Sequence, residues 1–251
     1  MRRIDLYTIG HTNPVSSPGD GIVTPFIVGR DDCAGPNIHA RTSYAEMRAL
    51  YWVWRNVPGL DIIGFQQYRR LFNFRGAPIA GTMYDRSGWT SVSVPVFQEY
   101  QKWERQWDGA LLPDILGHHH IIVPEETPEL MREMCSPKDW AIFCEIMAKY
   151  GDFDFHMTTG TWNTLFVTTA PVFNEYMKFW WKVTEELAPR LTFDNMPAEY
   201  LRTVFPQADD AVAYYSSRMM GYFSERIFSI WLNSSGLKVA RAPVMICWDA
   251  H

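Results

Sequence analysis

The stretch Ser43–Phe72, SYAEMRALYWVWRNVPGLDIIGFQQYRRLF, decides how the rest of the chain is read. Ser43 is suited to an N-cap, and Met47, Leu50, Tyr51 and Trp54 then recur at the spacing of one helical face, which predicts a buried helix. Asn56 to Gly59 carries a proline and a glycine and ends it. Leu60 to Phe65 is a short apolar run between turn residues, the pattern of an interior strand, and Gln66, Gln67, Tyr68, Arg69 and Arg70 follow directly. Two adjacent arginines at the end of a strand put cations at the carboxyl edge of a sheet, where open α/β sheets bind ligands. The expected ligand is an anion.

The 251 residues suffice for one α/β domain with a full core, and the expectation is a single domain over 1–251. The aromatic content, 15 Phe, 12 Tyr and 11 Trp, serves either a core or stacking platforms for sugars and bases. A net charge of -5 argues against a general nucleic-acid binder, because phosphate binding draws on surplus Lys and Arg. Cys33, Cys135, Cys144 and Cys247 show no close pairing and read as isolated reduced thiols, which points to the cytoplasm. The amino terminus turns polar too soon for a signal peptide, and no run approaches the ~20 apolar residues of a membrane span.

In chain order, Ile4 to Ile9 reads as a first strand, with His11 and Thr12 in the turn after it. Ile22 to Val28 reads as a second strand between loops, and the adjacent Asp31 and Asp32 are of a type that binds metals but read as exposed loop acids. Asn73 to Val94 has no periodicity and is expected to be a long loop or lid; Pro95 to Trp107 is expected to be helical. His118, His119 and His120 lead into a strand at Ile121 to Pro124. Alternate strand residues point to opposite faces, so the three cannot share one ion and are taken as loop or structural histidines.

Glu129 to Tyr150 reads as helical with a break near Pro137. Asp152 and Asp154, in GDFDFH, have the Asp-x-Asp spacing that suits a divalent ion against a diphosphate, a spacing that also arises by accident. Trp162 to Thr168 is a strand candidate running into a helix at Val172 to Leu187, with Phe173, Tyr176, Met177, Trp180 and Val183 inward. Gly221 to Trp231 starts a last helix with Phe223, Ile227, Ile230 and Trp231 inward and Glu225 in its first turn, where the helix dipole alone favours a carboxylate.

YAEMRALYWVWRN, DIIGFQQYRRLF, HHIIVP, WNTLFVTTAPVFNEYMKFW and GYFSERIFSIWL, in this order, resemble the bacterial capsular and exopolysaccharide biosynthesis family catalogued as domain of unknown function 4422. The resemblance runs from the His11 turn to Val244. It implies a GT-A-like, Rossmann-like α/β domain with a mixed central sheet flanked by helices, about 1–125 forming a nucleotide-sugar half and about 126–251 an acceptor half. In the family the strand usually ends in His-Tyr-Arg-Arg; here Tyr68, Arg69 and Arg70 match and Gln67 replaces the histidine. An amide hydrogen-bonds but does not take a proton at neutral pH. His11, Asn37, Glu46, Tyr51, Trp52, Asn163, Ser224, Glu225 and Arg226 match other family positions.

The activity implied is transfer of a sugar, a hexose such as galactose, from a UDP-linked donor to an oligosaccharide or lipid-linked acceptor in capsule, O-antigen or exopolysaccharide synthesis. Inversion at the anomeric carbon is implied with it, as is a cytoplasmic protein with room for peripheral contact at the inner face of the membrane. His11, Thr12, Asn37, Glu46, Gln67, Tyr68, Arg69 and Arg70 are the donor-binding candidates. Arg69 and Arg70 stand where metal-dependent relatives carry Asp-x-Asp, so no metal is required, with Mn²⁺ or Mg²⁺ as an optional addition. An alternative has one arginine structural, paired with Glu46 or another buried acid. Glu225 is the candidate base, followed by Asp194 and Asp154, and Trp162 and Asn163 are the acceptor-binding candidates. Two other readings stay open: a non-catalytic nucleotide-sugar or glycan-binding module, and a metal-dependent hydrolase built on His118 to His120 with Asp152 and Asp154.

Overall fold

Side chains alternate across short apolar strands, and this alternation builds two cores on the faces of one sheet. In β1 (Ile4–Gly10) Leu6 faces one core while Tyr7 and Ile9 face the other. In β3 (Ile62–Gln67) Ile62 opposes Ile63 and Phe65, and in β7 (Ile121–Pro124) Ile122 opposes Ile121 and Val123. A sheet buried on both faces is expected of an α/β fold with helices on each side. The computed structural model describes residues 2–11, 23–74, 83–84, 90–93, 111–125, 127–128, 136–155, 159–161, 164–191 and 217–247.

The remaining elements are β2 (Val23–Ile27), α1 (Met47–Asn56), β4 (Arg70–Phe72), β5 (Met83–Tyr84), β6 (Thr90–Val92), α2 (111–118), β8 (Thr127–Pro128), α3 (Pro137–Met147), β9 (Thr159–Gly160), β10 (Phe166–Thr169), α4 (Ala170–Leu187), α5 (Met219–Ser234), β11 (Val239–Ala242) and β12 (Val244–Cys247). The main sheet runs β2-β1-β3-β10-β7-β11, all parallel except β10, which is antiparallel to both neighbours. From the carboxyl end of β3 the chain turns into β4, which extends the sheet through β12, β6 and β5. The fold is therefore mixed α/β with a central mixed sheet flanked by helices, as the sequence led us to expect.

The larger core holds α1, α3, α4 and α5 against one face. Phe166 stacks on Phe228 at 5.0 Å, and Tyr176 meets Phe228 edge-on at 5.0 Å. The inward residues expected of α4 are all buried, as are Phe223, Ile227, Ile230 and Trp231 of α5. On the other face α2 supplies Leu112, with Ile115 and Leu116 packed beside it. Gly64 in the middle of β3 is required there. A Cβ would stand 2.4 Å from Leu6 Cδ2 and 2.9 Å from Val167 Cγ2, so neither neighbouring strand leaves room for a side chain.

Several boundaries differ from the sequence reading. Ser43 lies in a 3-10 turn, Thr42–Tyr44, rather than capping α1. Ala45 takes a left-handed φ of 46° and reorients the chain, so that α1 begins only after Glu46. The buried face of α1 is Met47, Leu50 and Val53, while Tyr51 and Trp54 are partly exposed and pack beside the core. The arginines do not end one strand: Tyr68 and Arg69 form a two-residue turn, and Arg70 opens β4 opposite Gln67. Part of the expected loop 73–94 is strand, β5 and β6. Glu225 lies in the second turn of α5, whose helix starts at Met219, so a dipole at the first turn does not account for it. The helix expected over Pro95–Trp107 and the segment 129–135 lie outside the described residues. Among the described residues no helix is long and apolar enough to cross a membrane.

Candidate active site

The topology marks one crevice before any side chain is considered. From β1 the chain moves to β2 on one side and then to β3 on the other, so strand order reverses between β1 and β3. Ligands of open α/β sheets bind outside the carboxyl ends of the strands at such a switch point. The register pairs Ile9 with Gln67 there, and the Tyr68 N–H donates to the Ile9 carbonyl at 2.8 Å, tying the β3-β4 turn to the end of β1. His11, exposed, follows directly after β1.

Gln67 is buried and its amide oxygen accepts a hydrogen bond from Nη1 of Arg70. Gln66 is buried too and accepts from the Phe72 N–H at 3.0 Å, so the paired glutamines hold both strands of the turn. Burial pulls the Arg70 guanidinium below its ordinary range, and the negative charges of Glu225 and Glu46 oppose that pull. An arginine stays protonated at any physiological pH. The result is a fixed, mostly desolvated cation at the crevice. Arg69, at the tip of the turn, is partly exposed and lies over the Tyr68 ring at 5.1 Å.

Glu46 does not form its ion pair with either arginine of the turn. Its Oε1 lies 3.3 Å from Nη2 of Arg218, the residue that precedes α5. That contact carries the α5 amino terminus onto the turn before α1. The approach is close enough that a Cβ on Gly221 would stand 3.0 Å from the Ala45 Cβ. Glu225, one turn farther along α5, is partly exposed on the side away from Phe223 and Ile227, and its charge acts on Arg70 and on the buried hydroxyl of Tyr176. Burial first, and Glu225 second, push the Tyr176 phenol well above its ordinary range, so it stays protonated. Among the described residues, three guanidinium groups, Arg69, Arg70 and Arg218, thus stand with two carboxylates, Glu46 and Glu225.

The three residues of the Ser-Glu-Arg run divide by direction. Ser224 is fully buried, accepting from Trp180 Nε1 at 2.8 Å and donating to the Met220 carbonyl at 2.6 Å. Arg226 is 2% exposed and lies over the Trp140 ring at 5.6 Å. Only Glu225 turns toward the crevice.

Other sequence candidates stand elsewhere. The Asn37 amide is engaged in its own loop, donating to the Cys33 and Gly35 carbonyls at 3.1 and 2.7 Å and accepting from the His39 N–H at 3.1 Å. Asp154, exposed like Asp152, sits on a segment anchored by Phe153 against Phe179 of α4 and by Phe155 against Phe143 of α3. His118 to His120 precede β7, at the edge opposite the crevice. His119 Nδ1 lies 3.1 Å from the Ile115 carbonyl, and His120 Nδ1 accepts from the Lys238 N–H at 2.8 Å, which is a structural use. Trp52 holds the loop after β2 through its indole, which donates to the Ala34 carbonyl at 2.5 Å. Thr12, Trp162, Asn163 and Asp194 lie outside the described residues. Arg218 and Tyr176 were missed as members of the cluster: one precedes a helix without any motif, and the other sits on a core stripe.

The apo structure of WbbM, described as a bifunctional glycosyltransferase, matches with a TM-score of 0.75 at 20% identity, over 99% of this chain and 46% of WbbM. The chain thus shares the fold of a part of WbbM and spans less than half its length. No curated protein sequence matches significantly. The sequence profile described as Domain of unknown function (DUF4422) matches residues 19–236. That span takes in the crevice from β2 through α5, and the chain belongs to the DUF4422 family.

Proposed function

We propose that the chain is a glycosyltransferase domain that moves a hexose from a UDP-linked donor to an oligosaccharide or lipid-linked acceptor in capsule, O-antigen or exopolysaccharide synthesis, at the cytoplasmic side of the membrane. The observation that carries this reading is Arg70, fixed by Gln67 and flanked by Glu225 and Glu46 at the switch point of a GT-A-like sheet. In the transfer an acceptor hydroxyl attacks the anomeric carbon, the bond from that carbon to the diphosphate oxygen breaks, and the sugar inverts. Arg69 and Arg70 take up the charge of the departing diphosphate, so no metal is needed. Glu225 accepts the hydroxyl proton. His11 and Tyr68 border the nucleotide, and Trp162 and Asn163 are the residues assigned to contact with the acceptor.

A second reading is favoured by one observation. Gln67 stands where the family usually has histidine, and its carbonyl is already engaged by Arg70. A non-catalytic nucleotide-sugar or glycan-binding module would fit that substitution. Calorimetric titration with UDP and GDP, in EDTA and again with Mn²⁺, tests the first reading. Binding that survives EDTA and disappears in the Arg69→Ala, Arg70→Ala double variant supports it; binding only with Mn²⁺ removes the metal-free arginine mechanism. Slow hydrolysis of the bound donor without acceptor separates the transferase from the module.

A further inference from the structure

At the carboxyl end of β2, one strand over from the switch point, the loop after Val28 gathers three side chains of the kind that bind transition metals. The sequence reading took Asp32 as an exposed loop acid, but it is fully buried. Its Oδ1 lies 3.3 Å from Nδ1 of His39, and Sγ of Cys33 lies 3.3 Å from the same nitrogen. The ligating atoms of all three residues fall within 4.8 Å of one another.

With a proton on Nδ1, that proton serves Asp32 and the thiol hydrogen serves the Gly29 carbonyl at 3.5 Å, so the three side chains are compatible without an ion. With the proton on Nε2 instead, the Nδ1 lone pair, the carboxylate oxygen and the sulfur face one another as three electron-pair donor atoms. A cation at the centre suits that second tautomer. A tetrahedral Zn²⁺, with bonds of about 2.3 Å to sulfur and about 2.0 Å to nitrogen and oxygen, separates S from N by about 3.5 Å and N from O by about 3.3 Å. The observed separations are close to both.

The surroundings support the same use. Gly29 N–H donates to Asp32 Oδ1 at 2.7 Å and fixes the carboxylate. Asp32 Oδ2 accepts no hydrogen bond among the described residues and lies 3.5 Å from Nε of Arg48, a buried cation of α1. Arg48 Nη1 also donates to the His39 carbonyl at 2.9 Å, so one side chain orients two of the three ligand residues from outside. We propose that Asp32, Cys33 and His39 form a site for a divalent transition metal of the zinc class, with one position left for water, that closes the loop after β2 on itself beside Arg48 of α1. Binding releases the thiol proton to solvent. The mixed sulfur, nitrogen and oxygen set favours Zn²⁺ or Co²⁺ over Mg²⁺ or Mn²⁺.

The test uses the untagged chain titrated with Zn²⁺ in competition with a chromogenic chelator, and with Co²⁺ as a spectroscopic probe. The expected result is one equivalent of Zn²⁺ and a thiolate-to-cobalt charge-transfer band. Cys33→Ser and His39→Gln should each weaken binding more than about tenfold, and Cys33→Ser should abolish the band, while Cys144→Ser changes neither. Cys33 is exposed, so its serine variant should fold. Absence of a thiolate band in the wild type, or a band that survives Cys33→Ser, overturns the proposal.

Discussion

Arg70 and Gln67 face each other across a two-residue turn, and the guanidinium of one donates to the amide oxygen of the other. The contact makes the cation's position a property of the turn. Gln67→Leu keeps the volume and removes the acceptor, so Arg70 loses its orientation and a buried donor loses a partner, which costs about 1–3 kcal/mol of stability. UDP affinity should fall by about tenfold or more while the far-ultraviolet circular dichroism stays unchanged. An unchanged dissociation constant would mean that Gln67 supports only the fold.

Arg70→Lys keeps the charge and loses the planar fork. A lysine ammonium is a point charge and cannot hold Gln67 and still offer two parallel donors to a diphosphate. Nucleotide affinity should drop by about tenfold or more, with little change in its salt dependence. Calorimetric titration at two ionic strengths separates this from a simple loss of charge.

Glu225→Gln removes a base and leaves a hydrogen-bonding group of the same shape. Turnover should fall by about 10²–10⁴-fold, measured as nucleotide release in the presence of acceptor. UDP binding should stay the same or tighten, since a negative charge beside Arg70 is gone. Equal turnover in the variant would send the base role to another acid.

The strands and long helices were legible because their burial follows from local pattern. Ile62, Ile63 and Phe65 form an apolar run, and Phe173, Tyr176, Met177, Trp180 and Val183 recur at helical spacing, so both elements appear where expected. β11 was not legible: Val239–Ala242 is VARA, and Arg241 turns out to donate to the Pro124 carbonyl and to Thr161 Oγ1 at 3.1 and 2.8 Å, partners set by distant chain. The turn at Tyr68 and Arg69 contains no Gly, Asn or Pro, so nothing local announced it. Within the crevice the arginines and Glu225 were readable as residue types at suggestive places. The pairing of Glu46 with Arg218 across 172 residues, and the burial of Asp32 beside Arg48, depend on tertiary contacts that no spacing encodes.

Ser224 and Trp180 give a prediction for stability alone. Ser224→Ala leaves the buried indole N–H of Trp180 without its acceptor and should destabilise the chain by about 1–3 kcal/mol. Thermal melting should show the loss, while nucleotide affinity per folded molecule stays at the wild-type value. A change in affinity would give the serine of the Ser-Glu-Arg run a direct part in the site.

The acid side of the stability profile is set in part by ion pairs between α3 and α4. Lys149 donates to Glu186 at 2.8 Å, with a further hydrogen bond from the Tyr150 hydroxyl, and the Arg190 guanidinium grips both oxygens of Glu145 at 2.8 and 2.7 Å. These hydrogen bonds hold both carboxyls below the usual glutamate range, Lys149 chiefly for Glu186 and Arg190 for Glu145. A carboxyl with a lowered folded value contributes stability above its unfolded value and loses it as pH falls through the folded one. On the alkaline side, burial first and Glu186 second push the Tyr150 phenol up to about 12, so its contribution is complete below the ordinary tyrosine value and fades as pH rises toward that figure. The pairs are exposed, so their part in the acid decline should be shallow and should weaken in high salt. Melting temperatures of wild type and Glu186→Gln between pH 3 and pH 7, at two salt concentrations, check it. The two curves should converge at the acid end, because protonation there removes from the wild type the same charge that the substitution removes at every pH.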